Sequence, residues 1–224
     1  VVDAEGRTLL PGLWDMHGHL DLMAGPMNIA AGVTTARDLG NDHERLMPIV
    51  RAFEADTVIG PHTWRAGLID GTGPYAGPTQ ARAETERDAL RWVDFFADEG
   101  YDQIKIYSSV PVAFVPAMTA RAKDRGLRVS GHIPAGMWAE DAVRQGYDEI
   151  QHINMVFLNF LAGDREDTRK QLRFTLYGDE AGKLDLDSQE VEDFIAKTML
   201  LTGEERESGA EGVTDWATLS ITKR

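Results

Sequence analysis

The sequence predicts an α/β protein whose strands and helices alternate. Three observations support this prediction. Short apolar or β-branched runs are followed by Gly or Pro loops and then by polar stretches with helical periodicity. This alternation occurs six times in the first 154 residues, which is typical of βαβ units around a parallel sheet. Six units in that length match the spacing of a (β/α)8 barrel of the TIM type, which takes ~250 residues when complete. We therefore expect such a barrel, truncated at its C-terminal end, with about six recognisable βα units.

The strands are predicted from the apolar and β-branched runs. They are Leu13–His17, Val33–Asp38, Trp64–Ile69, Gln103–Tyr107, Leu127–Gly131 and Glu149–Asn154. An open doubly wound sheet is the competing architecture, but no Gly-rich phosphate loop follows the first strand.

Helices are predicted between the later strands from apolar spacing and from Gly and Pro boundaries. The clearest covers Thr79 to Glu99, where apolar residues recur every three or four positions. Another is expected between Pro111 and Gly126, with its early turns disturbed by Pro116. A short helix over Ala139–Gln145 precedes the sixth strand.

Composition excludes several classes of protein and partner. With 23 basic and 37 acidic residues the net charge is -14, which makes nucleic acid and anionic membrane surfaces poor partners. No apolar run approaches the roughly 20 residues of a membrane helix, so we expect a soluble protein. The absence of Cys excludes disulfides, thiolate ligands and a cysteine nucleophile, but both a cytoplasmic and an exported location remain open.

The chain divides into three predicted parts. Residues 1–12 are expected to be a remnant of a small β-domain and the entry to the barrel, residues 13–196 the partial barrel, and residues 197–224 an atypical tail that is solvated or disordered. We expect this to be part of a larger protein. A barrel that lacks its last two strands leaves two unpaired strand edges, which predicts a homo-oligomer or aggregation.

Four of the six histidines are predicted to meet at one end of the barrel. His17 and His19 form an H-G-H motif at the end of the first strand, while His132 and His152 follow the fifth and sixth strands. The carboxyl ends of all barrel strands face one mouth, where active sites are built. Imidazole is a good zinc ligand, so the pattern predicts a metal site.

Lys105 is expected to point into the barrel. It alternates with Ile104 and Ile106, so if the Ile face packs on helices the amine faces inward. Burial of an ammonium lowers its pKa, and a partly neutral amine beside two metal ions can add carbon dioxide to form a bridging carbamate. The alternative is a lysine that extends to the rim of the barrel or pairs with a carboxylate.

Six stretches in order resemble the metal-dependent amidohydrolase superfamily: LLPGLWDMHGHL, AGVTTARDLG, GPYAGPT, YDQIKIY, VSGHIP and EIQHIN. The match is to imidazolonepropionase-like and Xaa-Pro dipeptidase-like members with a lysine on the fourth strand, and it spans about Val1 to Ala196. The opening VVDAEGRTLLPG resembles the return from the small β-domain that family members build from both chain ends.

The resemblance implies an amidohydrolase with a pair of divalent cations, expected to be Zn²⁺. His17 and His19 would bind one cation, His132 and His152 the other, and carboxylated Lys105 would bridge them. It further implies catalytic roles for Lys105 and His132, and attack of a metal-activated hydroxide on an amide-type C–N bond of a dipeptide or cyclic amide.

The sequence departs from the family after Ala196. Members take a final metal-binding Asp from the eighth strand, and Asp215 in VTDW resembles it only superficially, because a Glu-rich tract precedes it. Two alternatives therefore stay open: a catalytically inactive barrel fragment, and a mononuclear deaminase or imidazolonepropionase-like enzyme.

The sequence offers three weaker candidates for the site and two histidines that are expected to lie outside it. Arg37 is expected near the mouth, either in a salt bridge that braces the loop or in contact with a substrate carboxylate. Tyr75 and Tyr107 are candidates for hydrogen bonds to substrate. His43 is expected to be solvated at a helix start, and His62 to be structural at the opposite end of the barrel.

Overall fold

Six parallel strands form the sheet of this protein, and they are hydrogen bonded in chain order. The structure is a computed structural model that describes residues 3–73, 76–153 and 155–156. The strands are β1 (Leu13–Gly18), β2 (Val33–Asp38), β3 (His62–Ile69), β4 (Gln103–Ile106), β5 (Arg128–Gly131) and β6 (Glu149–Ile150).

Helices connect the strands on one face of the sheet. They are α1 (Ala24–Ala30), α2 (His43–Glu54), α3 (Glu86–Asp98), α4 (Val115–Asp124) and α5 (Ala139–Arg144), with a 3₁₀ turn over Val112–Phe114. None of the helices in the described ranges is long and apolar enough to cross a membrane.

The sheet is strongly curled. Arg37 of β2 forms an ion pair with Glu149 of β6, although four inter-strand steps separate these strands. In a flat sheet that separation would be roughly 19 Å, too far for two side chains to span. The described residues therefore form a curled half-barrel, and they do not include a closed eight-stranded barrel.

The two faces of the curled sheet differ in chemistry. Ile104 and Ile106 of β4 belong to the main apolar cluster with Phe96 of α3 and Met118 of α4. Polar side chains, among them Lys105, alternate with them and face the interior of the curl. This alternation is the one predicted from the sequence, and it positions Lys105 inside.

The helix predicted from Thr79 begins later, at Glu86. Thr85 is the N-cap of this helix. The Thr85 hydroxyl accepts a hydrogen bond from the backbone amide of Asp88, and the Asp88 carboxylate accepts one from the backbone amide of Thr85. The six preceding residues form a loop, in which the backbone of Ala83 pairs with Asp70. A satisfied capping box fixes the helix start more strongly than apolar spacing does, so the predicted boundary was wrong by about two turns.

Two other boundaries follow from local backbone conformation. The chain between β4 and β5 forms a 3₁₀ turn before α4, and Pro116 lies in the first turn of that helix, where no amide donor is needed. The sixth strand ends at Ile150 instead of Asn154, since His152 has a left-handed backbone with φ of 66°. The predicted tail over residues 197–224 lies outside the described residues.

One edge of the sheet is rich in exposed apolar side chains. Leu13, Trp14 and Met16 of β1 are each about half exposed, and Leu9 and Leu10 just before the strand are more exposed still. In the described part of the chain, β1 pairs with β2 alone. This apolar edge is the kind of surface that promotes association between chains.

Candidate metal centre

Four imidazoles meet at the carboxyl end of the curled sheet. The ring centroids of His17 and His152 are 4.7 Å apart, and those of His132 and His152 are 4.8 Å apart. His19 lies beside His17 with a centroid distance of 5.7 Å. The residues come from the ends of β1, β5 and β6, so the curl brings them together as the sequence pattern predicts.

The chain that leaves β1 after His17 and carries His19 is fixed by Asp38 at the end of β2. The buried Asp38 carboxylate accepts from the amide of Leu20, 2.7 Å away, and from the side chain of Asn41. Gly40 leaves room for His19, because a Cβ at this position would lie 2.0 Å from the His19 ring. The exposed His19 therefore packs against bare backbone.

His132 is the most enclosed of the four imidazoles, with 8% of the residue exposed. Its Nδ1 is 2.7 Å from the hydroxyl oxygen of Ser108, and Tyr107 stacks on its ring at a centroid distance of 3.9 Å. Its Nε2 is buried and makes no hydrogen bond in the described structure. When Nδ1 donates to Ser108, the Nε2 lone pair is left free to bind a cation.

Lys105 is almost completely buried, with 1% of the residue exposed. Burial lowers the pKa of its amine from 10.5 to about 8, while the charge of Asp38 opposes this fall and that of Arg37 adds to it. The amine lies 5.5 Å from the centroid of the Tyr107 ring. A fraction of the amine is consequently neutral near physiological pH, as carbamate formation requires.

The electrostatics keep the central imidazoles neutral. Burial, followed by the charge of Lys105, lowers the pKa of His17 to about 4, against a side-chain hydrogen bond with Gln151 that raises it. The same two causes lower the pKa of His132 to about 2, and they also lower the pKa of His152. A neutral imidazole is the form that binds metal.

The imidazole nitrogen atoms do not point at a common metal position. Among the described residues, no group of three or more His, Asp or Glu side chains is arranged to hold an ion as it stands. His17 and His19 stack within 5° of parallel, and since a nitrogen lone pair lies in the ring plane, stacked rings do not aim at one point. Rotation of the exposed His19 is needed to bring the two donors together.

The donor set nevertheless fits a divalent cation such as Zn²⁺. It offers three imidazoles held neutral, a buried Nε2 on His132 with no partner, and a buried amine on Lys105. An unpartnered polar atom in a protein interior costs free energy unless something binds it. Metal binding itself stays a prediction.

Arg37 is occupied by protein partners. Its guanidinium donates to both carboxylate oxygens of Glu149, at 2.7 Å for one of them, and its Nε donates to the carbonyl of Met16 at 2.9 Å. A longer bond of 3.5 Å reaches Gln103. The salt-bridge interpretation matches this geometry, with a partner on β6, and a substrate contact for Arg37 stays untested.

Of the remaining residues considered in the sequence, one lies at the histidine cluster, two lie away from it, and one is outside the described residues. Tyr107 lies at the site, packed on His132, whereas Tyr75 lies outside the described residues. His62 is exposed at the amino end of β3, as expected. His43 is not solvated as predicted: it is half-buried, its Nδ1 lies 3.0 Å from the Tyr101 hydroxyl oxygen, and it contacts Phe95.

Three supporting residues were not found from the sequence. Ser108 holds His132, Gln151 contacts His17 and Glu149, and Asp70 joins two loops by accepting from the amides of Gly77 and Ser109. A serine or glutamine in a loop carries no signal of its own. For Asp70, as for Asp38, the position at the end of a strand was the one sequence feature that could have indicated a supporting role.

Comparisons with known proteins support the fold. No protein-family model matches the chain, and no curated protein is significantly similar to it. Among solved structures, the chain is similar to a bottromycin amidohydrolase, at 27% identity and a TM-score of 0.53, over 61% of this chain and 31% of that protein.

Two further solved structures align over most of the chain. One is a Xaa-Pro dipeptidase with methionine bound in its active site, at 20% identity and a TM-score of 0.57, over 91% of this chain and 64% of the other. The second is a putative prolidase from Bifidobacterium longum, at 20% identity and a TM-score of 0.53, over 91% of this chain and 53% of that protein. At that identity they show a common fold alone. The chain spans less than two thirds of the length of each of these three proteins.

Proposed function

We propose that this chain is the metal-binding part of a hydrolase that cleaves amide-type C–N bonds, with dipeptides or small cyclic amides as substrates. The similarity to solved structures named as an amidohydrolase, a dipeptidase and a prolidase supports the class of reaction. The fold and the site chemistry support the dependence on a metal, and the dipeptide preference rests on the resemblance alone.

The observation that carries the proposal is the meeting of four imidazoles and one buried amine at a single sheet end. They come from the ends of β1, β5 and β6 and from the middle of β4, and up to 135 residues separate them in the sequence. Incidental loop histidines would not be expected to contact each other in series, nor to lie near enough to a buried amine for its charge to lower the pKa of three of them.

Each of the five residues has a defined part in the proposed site. His17 and His19 would hold one Zn²⁺ and His132 and His152 the other, with the Lys105 carbamate between them. When bound, such cations would supply two effects, a lowered pKa of a water molecule and polarisation of the substrate carbonyl. Tyr107 covers one face of His132 and keeps solvent from that ligand.

Formation of the carbamate is within the chemistry of Lys105. The neutral amine attacks the carbon of carbon dioxide, a C–N bond forms, and one proton leaves the nitrogen to solvent. The product is an anion with two oxygen donors. It requires an amine that is partly neutral at physiological pH, which the buried position of Lys105 provides.

The test is metal content and turnover of the purified 224-residue chain. Metal-free protein is reloaded with Zn²⁺ with and without bicarbonate, bound metal is measured by mass spectrometry, and hydrolysis is followed on Xaa-Pro dipeptides and cyclic amides. We expect about two Zn²⁺ per chain, bicarbonate-dependent turnover, and loss of both in His17→Ala. His62→Ala is the matched control, because His62 is exposed at the other end of the sheet.

A single-metal enzyme is the second candidate, in the manner of a deaminase or an imidazolonepropionase. It is favoured by the contact series of His17, His152 and His132, which leaves the exposed His19 at the margin. One Zn²⁺ per chain and activity independent of bicarbonate would support it. Bound Zn²⁺ without turnover on any substrate would instead support an inactive barrel fragment, and the absence of bound metal would refute the proposed function.

A further inference from the structure

The interior of the half-barrel contains an ion pair between the second and sixth strands. Arg37 and Glu149 are 112 positions apart, and the guanidinium meets both oxygens of the carboxylate. The Arg37 side chain is 8% exposed and that of Glu149 is 29% exposed. Paired forks of this kind are among the strongest and most directional hydrogen bonds in proteins.

In the described residues, the sixth strand is held by β5 on one side and by Arg37 across the interior. It is two residues long and pairs with Ser130 and Gly131 of β5, and its flanking residues Asp148 and Gln151 also bond to the backbone of β5. The Arg37 pair is therefore its link to strands other than β5. His152 follows two residues later on a left-handed backbone, which costs a non-glycine residue free energy and persists only where its surroundings enforce it. Its contacts with His17 and His132 thus depend on what holds β6.

The ion pair is linked both to other strands and to the site. On one side, Arg37 donates to the carbonyl of Met16 on β1 and to Gln103 on β4. On the other side, Gln151, next to His152, donates to the same Glu149 carboxylate. A guanidinium with four hydrogen bonds to three partners has little freedom to bind anything else.

We propose that Arg37 is a positioning residue, which holds Glu149 and the short sixth strand across the barrel interior and so places His152 beside His17 and His132. The inference rests on the proposed function, because the placement of His152 matters for catalysis only if the site binds metal. Arg37 acts through Glu149 and Gln151 and does not contact the reacting atoms.

The test compares Arg37→Met with wild type in two separate measurements. The first is made on metal-free, isotope-labelled chain, where nuclear Overhauser effects between histidine rings report their proximity. We expect the effects that join His152 to His17 and to His132 to disappear in Arg37→Met. The effect between His17 and His19 should persist, since the two residues are close in the chain and Asp38 binds the amide of Leu20 next to them.

The second measurement is the affinity for Co²⁺, followed by its visible absorption. Loss of a residue that orients a metal ligand typically lowers affinity about 10- to 100-fold, and we expect a fall of that size in Arg37→Met. Arg125→Met is the matched control, because Arg125 also pairs with carboxylates, Asp94 and Asp98, but on the outer surface of α4 and α3. It should leave both measurements unchanged.

The outcomes distinguish the inference from the proposed function. If wild type binds no Co²⁺ while the Overhauser effects behave as expected, the proposed function fails and the positioning role stands. If Arg37→Met folds and retains the His152 effects, the positioning role is refuted whatever the metal does. Should Arg37→Met fail to fold, Glu149→Met removes both acceptors of the same pair and provides the same comparison, with retained His152 effects again refuting the role.

Discussion

Replacement of Lys105 by Met should stabilise the metal-free protein, because the buried amine is unfavourable for folding. Burial lowers the pKa of Lys105 from 10.5 to about 8, which corresponds to about 3 kcal/mol of preference for the neutral form. Below pH 8 the folded chain therefore carries a charge that it disfavours. Met has similar length and no charge, so we expect Lys105→Met to raise the free energy of unfolding by about 1 to 3 kcal/mol at pH 7.

The sign of the pH dependence follows from proton binding. Between pH 8 and 10.5 the unfolded chain keeps the proton on Lys105 and the folded chain has lost it. Stability rises with pH wherever the unfolded state binds more protons. The stability of wild type should thus approach that of Lys105→Met across this interval, and the difference between them should be constant below pH 8.

The assay is urea unfolding at a series of pH values from 7 to 10.5, in chelator and in buffers free of carbon dioxide. Lys123→Met is the matched control, since Lys123 is an exposed lysine on α4, and it should track wild type at every pH. A Lys105→Met variant that is no more stable than wild type at pH 7, or a difference that does not shrink above pH 8, would refute the reasoning.

Three shorter predictions concern the surroundings of the site. Ser108→Ala should lower Zn²⁺ affinity about tenfold with little change in stability, because Ser108 orients His132; a competition titration measures this, and unchanged affinity would contradict it. Gly40→Ala should displace His19, whose ring a new Cβ would meet at 2.0 Å; the expected result is a shifted His19 signal in NMR spectra, and an unmoved ring would be the contrary outcome. Arg37 lowers the pKa of Glu149 from its usual 4.5, so the stability from this pair is present above that value and is lost as pH falls through the folded pKa. Acid unfolding followed by circular dichroism should accordingly be less steep in Glu149→Gln than in wild type, and equal slopes would count against the pairing.

The strands could be predicted from sequence because their cause is local. Runs such as Val33–Asp38 carry β-branched residues between loops, and that element was predicted at its observed bounds. The inward orientation of Lys105 followed from the alternation of side chains along a strand. In the same way, histidines at the ends of parallel strands were expected at one edge, where the structure places them.

What could not be predicted depends on contacts between distant residues or on competing local signals. The partner of Arg37 is 112 residues away, and nothing around position 37 indicates it. The start of α3 was misplaced because Thr79 and Thr85 are both acceptable caps, and the capping partner Asp88 decides between them. Helix α1 was missed, since Gly25 and Pro26 within it are poor helix formers.

The apolar edge of β1 has a consequence for handling the protein in solution. A net charge of -14 makes neighbouring molecules repel one another, while Leu13, Trp14 and Met16 draw them together once they touch. Added salt shortens the reach of the repulsion, from about 30 Å at 0.01 M to about 8 Å at 0.15 M, and leaves the apolar attraction in force. Particle size measured by light scattering should accordingly grow with ionic strength.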